Sequence, residues 1–432
     1  MASTGLTSTK LSERLPQVSG LQCVICGAVY SLDETMYTCP KCGPVGTLDV
    51  LYRTGGRRYE AEPGLLTMWQ QADLLPLGTP PPTGLQKFGG TSLFGPESLA
   101  KLAEEVGITE LYIKHDGLNM TGSLKDRASA MVVAHAVQNL GRHVIATAST
   151  GNAAAALAGV CASVPGAQAV IFAPATAPEG KIAQMVVFGA NVILVNADYD
   201  TAFDLCGAAC DEFGWYNRST GINPFTSEGK KTVSLEIAMQ LNYQLPDVIV
   251  VSVGDGSIIG GVHKGLADMQ RQGWITKMPR LIGVQAAGSD ALVYAWENQL
   301  SAVEMQDRPA NTIADSISSR LPRDRAKALR AVRETNGAFI RVTDEQILAA
   351  IPALARGSGV FAEPAAAATF AALQPALAAG VIDQHERVLL LITGNGLKDV
   401  RSAMQSVSLE KPPVVAPSLD AVRTQVKNWQ IA

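Results

Sequence analysis

Between residues 111 and 393 the chain alternates short runs of β-branched and aliphatic residues with longer segments of helical period. The strand-like runs are Leu111–Lys114, Val144–Ala148, Ala169–Ala173, Val192–Val195, Val248–Val253, Leu281–Gln285, Phe339–Val342 and Val388–Thr393. Helical segments fall near 123–139, 152–163, 180–188, 200–213, 229–242, 258–272, 344–356, 363–378 and 396–405. Apolar strands separated by helices predict α/β units around a largely parallel sheet. Two open sheets and one closed barrel both satisfy the pattern. Ahead of it, Arg53 to Gly95 is rich in Gly and Pro and reads as a linker. Behind it, Lys411 to Ala432 reads as a linker and one short helix.

The balance of 35 basic against 39 acidic residues leaves a net charge of −4. No basic field invites nucleic acid. Charged residues are 17% and hydrophobic residues 47%, the signature of a compact metabolic protein rather than a disordered one. The opening segment, Met1 to Gln17, lacks the apolar core of a secretory signal. Val144 to Pro178 carries no charge, yet turns at Ser149–Asn152, Pro165-Gly166 and Pro174 divide it. Its apolar helical piece, Ala153 to Ala162, falls short of the ~20 residues a bilayer needs. Strand, turn, buried helix, turn, strand is the expected arrangement, with no membrane span.

Four of the seven cysteines form two Cys-x2-Cys pairs, Cys23/Cys26 and Cys39/Cys42. Turn residues surround both pairs. Two such knuckles let four thiolates converge tetrahedrally on one zinc ion, with no position left open, so the metal is structural. Cys161, Cys206 and Cys210 lie in apolar helical context and read as small core residues. Without a secretory signal, this usage points to a reducing cytoplasm.

Four strand-to-helix junctions carry candidate chemistry, since ligands collect at the C-terminal ends of parallel strands. The segment from Gly117 to Arg127 opens a helix with Lys125 in its first turn. There the macrodipole lowers the amine pKa, which suits Schiff-base chemistry; a solvated lysine paired with Asp126 is the plainer reading. Ser149-Thr150-Gly151-Asn152 precedes an alanine helix. It reads either as a ligand-facing loop or as an ordinary helix cap. Gly254-Asp255-Gly256-Ser257-Ile258 follows a buried strand and offers free amides to a small phosphate. The third glycine of a dinucleotide fingerprint is absent, because Ile259 stands there. Asp255 is awkward beside an anion and is expected to point away or bond locally. Thr393-Gly394-Asn395-Gly396 ends the last strand with a hydroxyl. No HExxH pair and no Gly-x-Ser-x-Gly elbow occurs, so a catalytic zinc and a hydrolase triad lack support.

In this order the four loops resemble the threonine synthase branch of the fold-type II pyridoxal phosphate enzymes, over about Gly90 to Asp399. Further matches are Asn223-Pro224, Glu228 to Thr232, Gly283 to Gln285, Ala314 to Ile317 and Glu363-Pro364-Ala365. The resemblance implies a tryptophan synthase β-like architecture. That is two three-layer α/β/α domains with the cofactor in the cleft between them, plus an N-terminal zinc ribbon. The implied boundaries are a ribbon at 18–50, a linker and lead-in at 51–95, a catalytic unit at 96–406 and a tail at 407–432. A smaller domain at about 110–225 is inserted in the catalytic unit.

By the same resemblance Lys125 forms the internal aldimine with pyridoxal 5'-phosphate and acts as the mobile base. Asn152 bonds the ring oxygen. The amides of Gly254, Asp255, Gly256, Ser257 and Ile258 hold the cofactor phosphate. Thr393 faces the pyridine nitrogen. Ser149, Thr150 and Gly151 hold the substrate carboxylate through hydroxyls and free amides. The implied enzyme is a carbon–oxygen lyase that turns O-phosphohomoserine and water into threonine and phosphate. A homodimer acting on a small amino-acid substrate, with no nucleic acid or membrane partner, is implied as well.

Two departures bear on the substrate. Ala153 stands where the family tends to place a hydroxyl, and Phe225-Thr226 follows Asn223-Pro224 where it often has an arginine. Losing a bidentate arginine from a phosphate site is a large change. Lys181, Lys230 and Arg218 are the candidates to compensate. An ammonia-lyase or β-replacement enzyme acting on serine, threonine or phosphoserine therefore stays open. So does a non-catalytic binding protein, against which Lys125, Asn152 and Thr393 count.

Overall fold

The structure is a computed structural model that describes residues 10–60, 66–177, 179–407 and 412–429. Parts of the opening segment (1–9), of the Gly/Pro-rich stretch (61–65) and of the tail (408–411 and 430–432) lie outside the described residues, as does Pro178.

Strands β1 (Val18–Cys23), β2 (Val29–Tyr30), β3 (Thr38–Cys39) and β4 (Gly43–Tyr52) form a small antiparallel sheet in the order β2-β1-β4-β3. Next come β5 (Leu93–Phe94), β6 (Glu110–His115), β7 (Val144–Ala148), β8 (Gln168–Pro174), β9 (Asn191–Val195) and β10 (Tyr216–Asn217). The last four strands are β11 (Val248–Ser252), β12 (Arg280–Ala286), β13 (Ala338–Val342) and β14 (Arg387–Ile392). They build two open sheets, β10-β7-β8-β9 and β13-β12-β11-β14-β6-β5. All neighbours in these sheets are parallel except the edge strand β5. Among the described residues the α/β units therefore form two open sheets and no closed barrel.

All eight strands expected from the sequence are present, with ends shifted by no more than one residue. The central strands are almost continuously apolar because helices cover them, as in β11 and β14, where every residue from Val248 to Ser252 and from Val388 to Ile392 is buried, whereas the edge strand β9 is largely exposed. The uncharged stretch is indeed β7, the helix Asn152–Ala162, then β8. Among the described residues no helix is long and apolar enough to cross a membrane.

The differences have local causes. The segment expected as one helix over 363–378 is two, Pro364–Ala371 and Leu373–Ala378. Pro375 has no N–H to offer the carbonyl of Ala371, so the hydrogen-bond ladder breaks there. Four helices were not expected, the single turn Leu11–Arg14 and the longer Pro96–Val106, Ala291–Glu297 and Arg325–Glu334. The stretch read as a linker is anchored to the body over its described part. Met68, Trp69, Leu74, Leu75, Leu85 and Phe88 are buried, and the Trp69 indole donates to the Leu85 carbonyl at 2.6 Å. Widely spaced apolar residues pinned it there without any regular period. The expected start of the small domain near residue 110 also shifts. β6 pairs with β14 in the large sheet, so the small sheet takes up only β7 to β10.

Candidate active site

Parallel strands send their outgoing loops to one edge of a sheet. β11, β14 and β6 are neighbours, with Val251 opposite Leu391 and Ile392 opposite His115. Their loops, starting at Val253, Thr393 and Asp116, thus emerge side by side. In the small sheet β7 lies between β10 and β8, and sends out Ser149–Gly151 beside Arg218.

Lys125 is the first residue of the helix Lys125–Ala134. The Leu124 N–H donates to the Thr393 carbonyl at 2.9 Å, and Ser123 bridges to Gly394, so the lysine loop is stitched to the loop after β14. Arg127, two residues on, is locked by a fully buried ionic cluster. Its Nε and Nη2 donate to Asp116 at 2.6 and 2.8 Å, and its Nη1 to Glu236 at 2.8 Å. Lys114 and Thr91 complete the cluster on Glu236. Asp126 accepts from both the N–H and the hydroxyl of Thr121. The backbone around Lys125 is therefore fixed, while the Lys125 amine itself has no hydrogen bond or ion pair among the described residues. Burial lowers its pKa, opposed by the nearby Glu363 carboxylate.

Asn152 begins the helix after the hydroxyl turn. Its amide nitrogen lies 3.0 Å from each oxygen of Glu363 and 3.2 Å from the Ser316 hydroxyl. Glu363 also presses on Gly394, where an added Cβ would fall 2.2 Å from its Oε1. Glu363, of the Glu363-Pro364-Ala365 segment, thus ties the small-sheet loop to the β14 loop. Only its position before Pro364 marked it in the sequence. Thr393 is buried and its hydroxyl makes no hydrogen bond among the described residues.

The turn after β11 is shaped by close packing. Gly256 has φ +86° and a Cβ there would meet the Ala328 side chain at 2.8 Å and the Asp324 carbonyl at 2.9 Å; a Cβ on Gly254 would meet Ile317 Cα at 2.7 Å. The helix Ser257–Arg271 starts here with its first amides unpaired, as every helix does. Asp255 does bond locally: its carboxylate accepts from the Ser319 hydroxyl at 3.1 Å and the Arg323 N–H at 3.3 Å. The buried Lys230 amine donates to the Ser257 hydroxyl. Burial, with Arg218 and Lys125 nearby, holds its pKa well below the ordinary lysine value.

The expectation of free amides across Ser149–Gly151 needs correction. The Ser149 N–H donates to the Phe172 carbonyl at 3.1 Å, and the Gly151 N–H folds back onto the Ser149 hydroxyl at 3.2 Å. A serine two residues back competes for that amide. The uncommitted donors of the turn are the Ser149 hydroxyl, which only accepts here, the Thr150 amide and hydroxyl, and the first amides of the helix at Asn152.

The four cysteine sulfurs lie within 4.8 Å of one another, and none is in a disulfide. Cys26 Sγ and Cys39 Sγ are 3.8 Å apart, the separation that two ligands about 2.3 Å from a tetrahedral zinc would have. The Ile25 and Cys26 amides point at Cys23 Sγ at 3.4 and 3.5 Å. A Cβ on Gly46 would meet Cys42 Cβ at 2.6 Å, so the knuckles close over a residue without a side chain. The four thiols fit a structural zinc ion.

Residues 85–394 match the family described as pyridoxal-phosphate dependent enzyme. The chain is 39% identical to a threonine synthase of Methanosarcina acetivorans over 94% of this chain and 98% of that one. It is 36% identical to a threonine synthase of Methanocaldococcus jannaschii over 89% and 94%. The chain belongs to the pyridoxal-phosphate dependent enzyme family. Solved structures of that family share the fold at low identity. A diaminopropionate ammonia lyase of Escherichia coli superposes with a TM-score of 0.63 at 18% identity, covering 82% of this chain and 94% of that one. The threonine deaminase isoform 2 of Solanum lycopersicum gives 0.61 at 19%, covering 74% and 88%. As a pyridoxal-phosphate dependent enzyme, the chain presents an unpartnered lysine amine, a glycine turn that fits a phosphate and a free threonine hydroxyl at one strand edge. These residues fit the cofactor.

Proposed function

We propose that this chain is a threonine synthase, a carbon–oxygen lyase that converts O-phosphohomoserine and water to threonine and phosphate. The observation that carries the reading is the Lys125 amine. It stands unpartnered at a helix start, between the Thr393 loop and the Asn152–Glu363 pair, in a chain 33–39% identical to proteins named threonine synthase. Pyridoxal phosphate, when bound, supplies the electron sink for loss of carbon-bound protons.

Lys125 holds the cofactor through its amine, then moves protons at the α- and β-carbons of the substrate. Its lowered pKa keeps a share of the amine neutral and so able to accept a proton. Asn152, held by Glu363 and Ser316, is the residue that would meet the ring oxygen, one of its N–H groups leaving its present partner to do so. The amides from Gly254 to Ile258, with Ser257 and Lys230, cradle the cofactor phosphate. Asp255 takes part through its backbone alone. Thr393 presents a hydroxyl to the ring nitrogen, a gentler partner than a carboxylate. Ser149, Thr150 and Gly151 face the substrate carboxylate, the donors being the Ser149 hydroxyl, the Thr150 group and the helix start. Cys23, Cys26, Cys39 and Cys42 hold zinc.

A homodimer in the cytoplasm belongs to the same reading. The exposed apolar residues Leu118, Met120, Leu397, Val400 and Met404 flank the Lys398–Thr121 hydrogen bond and support a covered face there.

The test is to add O-phosphohomoserine to the purified holoenzyme and follow phosphate, threonine and the visible cofactor absorbance together. Equal amounts of phosphate and threonine are expected, with both products and the absorbance lost in Lys125→Ala. An absorbance that ignores O-phosphohomoserine but shifts with serine, threonine or phosphoserine would overturn the synthase reading.

A further inference from the structure

A phosphorylated substrate needs a second anion site beside the cofactor phosphate. Two of the positions that the resemblance offers for it are spent. Ala153 has no side-chain donor, and the Thr226 hydroxyl donates back to the Asn223 carbonyl at 2.8 Å. Of the three cations able to compensate, Lys181 is paired with Asp315 near the surface, and Lys230 is bonded to Ser257 in the cofactor turn. Arg218 remains.

Arg218 is fully buried at the C-terminal end of β10, its N–H donating to the Ala146 carbonyl at 2.8 Å beside the Ser149–Gly151 turn. Its Nε donates to the Ser129 hydroxyl at 3.1 Å. Ser129 lies four residues after Lys125, on the same face of the helix and about 6 Å along it. Nη1 reaches only the Thr220 hydroxyl at 3.4 Å, and Nη2 has no partner. No carboxylate pairs with this guanidinium among the described residues, and burial pushes its pKa down to about 10. The nearby Asp126 carboxylate is occupied by Thr121. A buried cation with an open donor is destabilising unless an anion arrives to pair with it.

The ribbon holds this residue in place. Tyr37, on the loop between the two cysteine pairs, accepts from the Asn217 N–H at 3.0 Å, and its ring lies 5.9 Å from that of Tyr216. β10 consists of just those two residues, so the ribbon grips the backbone immediately before Arg218.

The geometry points to Arg218 as the residue that takes the phosphate of the substrate, positioned there by Tyr37 of the cysteine ribbon. This rests on the reading above that the substrate carries a phosphate. The test uses the holoenzyme and its Arg218→Lys and Tyr37→Phe variants, with inorganic phosphate as the probe. Cofactor content, zinc content, kcat, KM for O-phosphohomoserine and the inhibition constant of phosphate are measured for each.

Arg218→Lys should keep its cofactor and zinc but lose the two-pronged contact. KM and the phosphate inhibition constant should then rise together by roughly tenfold or more, with kcat changed far less. Tyr37→Phe should move the same two constants in the same direction by a smaller factor. It carries the test alone if substitutions at 218 do not fold. Unchanged constants overturn the proposal, and so does a loss of cofactor in step with activity, which would give Arg218 to the cofactor phosphate. If the wild type makes no threonine, yet phosphate perturbs the cofactor absorbance in an Arg218-dependent way, the anion site stands and the synthase reading falls.

Discussion

The side-chain amide of Asn152 sits 3.0 Å from both carboxylate oxygens of Glu363, although 211 positions separate them in sequence. The contact joins the loop of the small sheet to the β14 loop of the large one. Burial raises the Glu363 pKa, opposed by the Asn152 amide and by Lys125. As pH falls, the carboxyl therefore takes up its proton earlier than an ordinary glutamate would. Once protonated, it can no longer accept through both oxygens. Glu363→Gln should lower kcat by about tenfold to a hundredfold and remove an acid limb from its pH profile, with cofactor retained. A variant with wild-type kcat and the same acid limb would show that Glu363 does not orient Asn152.

The Arg127 cluster makes a prediction about stability. Its guanidinium is the hub of two buried carboxylates, both with side chains fully out of solvent. Glu236 is held well below the usual carboxylate range by Arg127 and Lys114 against the cost of burial. Removing one partner of a buried pair leaves the other charge uncompensated, at about 3–5 kcal/mol. Arg127→Ala should lower the unfolding free energy by that order in a denaturant titration. A loss under about 1 kcal/mol would contradict the assignment.

His135 contributes to the pH dependence of the fold. It sits in the π-helical turn His135–Asn139, stacked 3.7 Å from the Phe225 ring, with Nδ1 bonded to the Tyr216 hydroxyl and Nε2 unpartnered. Burial pushes its pKa down to about 3, from an ordinary 6.5. Between those values the unfolded chain binds the proton and the folded chain does not, so stability rises with pH across that window. The full stabilisation is present above pH 6.5 and is lost as pH falls toward 3, on the order of 5 kcal/mol. His135→Gln should flatten that slope in unfolding titrations at pH 4 to 7. An unchanged slope would assign the acid sensitivity elsewhere.

Zinc removal should act on the ribbon and on substrate affinity, and leave the cofactor. β4 is welded to the catalytic unit away from the metal. Asp49 pairs with Lys327 and Arg330, and the Tyr52 hydroxyl donates to Glu228. Lys327 also donates to the Leu48 carbonyl at 2.7 Å and the Ser227 hydroxyl at 2.9 Å. The Cys39→Ser, Cys42→Ser double variant should lose its zinc by elemental analysis, unfold several degrees earlier and raise KM, yet keep its visible absorbance. Simultaneous loss of the cofactor would mean that the ribbon supports the cradle directly.

The eight apolar strands, the Cys-x2-Cys pairs, Lys125 and the glycine turn at Gly254 were legible because each depends on neighbours in sequence. Hydrophobic period, ligand spacing and helix starts are local properties, and burial on both faces leaves strands such as Val388–Ile392 no polar positions to blur the signal. What escaped was set by distant partners. The two-residue strand β10 has no period of its own and exists because β7 pairs with it. The Gly151 amide looked free until the Ser149 hydroxyl claimed it. Glu363, Lys230 and Arg218 are ordinary polar residues in the chain. Their roles come from what burial leaves them: Asn152 for the first, Ser257 for the second, and for Arg218 an open donor. Local pattern along the chain sets the elements and the chemistry available at their ends. Tertiary packing decided which of those groups were paired off inside the core and left Arg218 Nη2 without a partner beside the site.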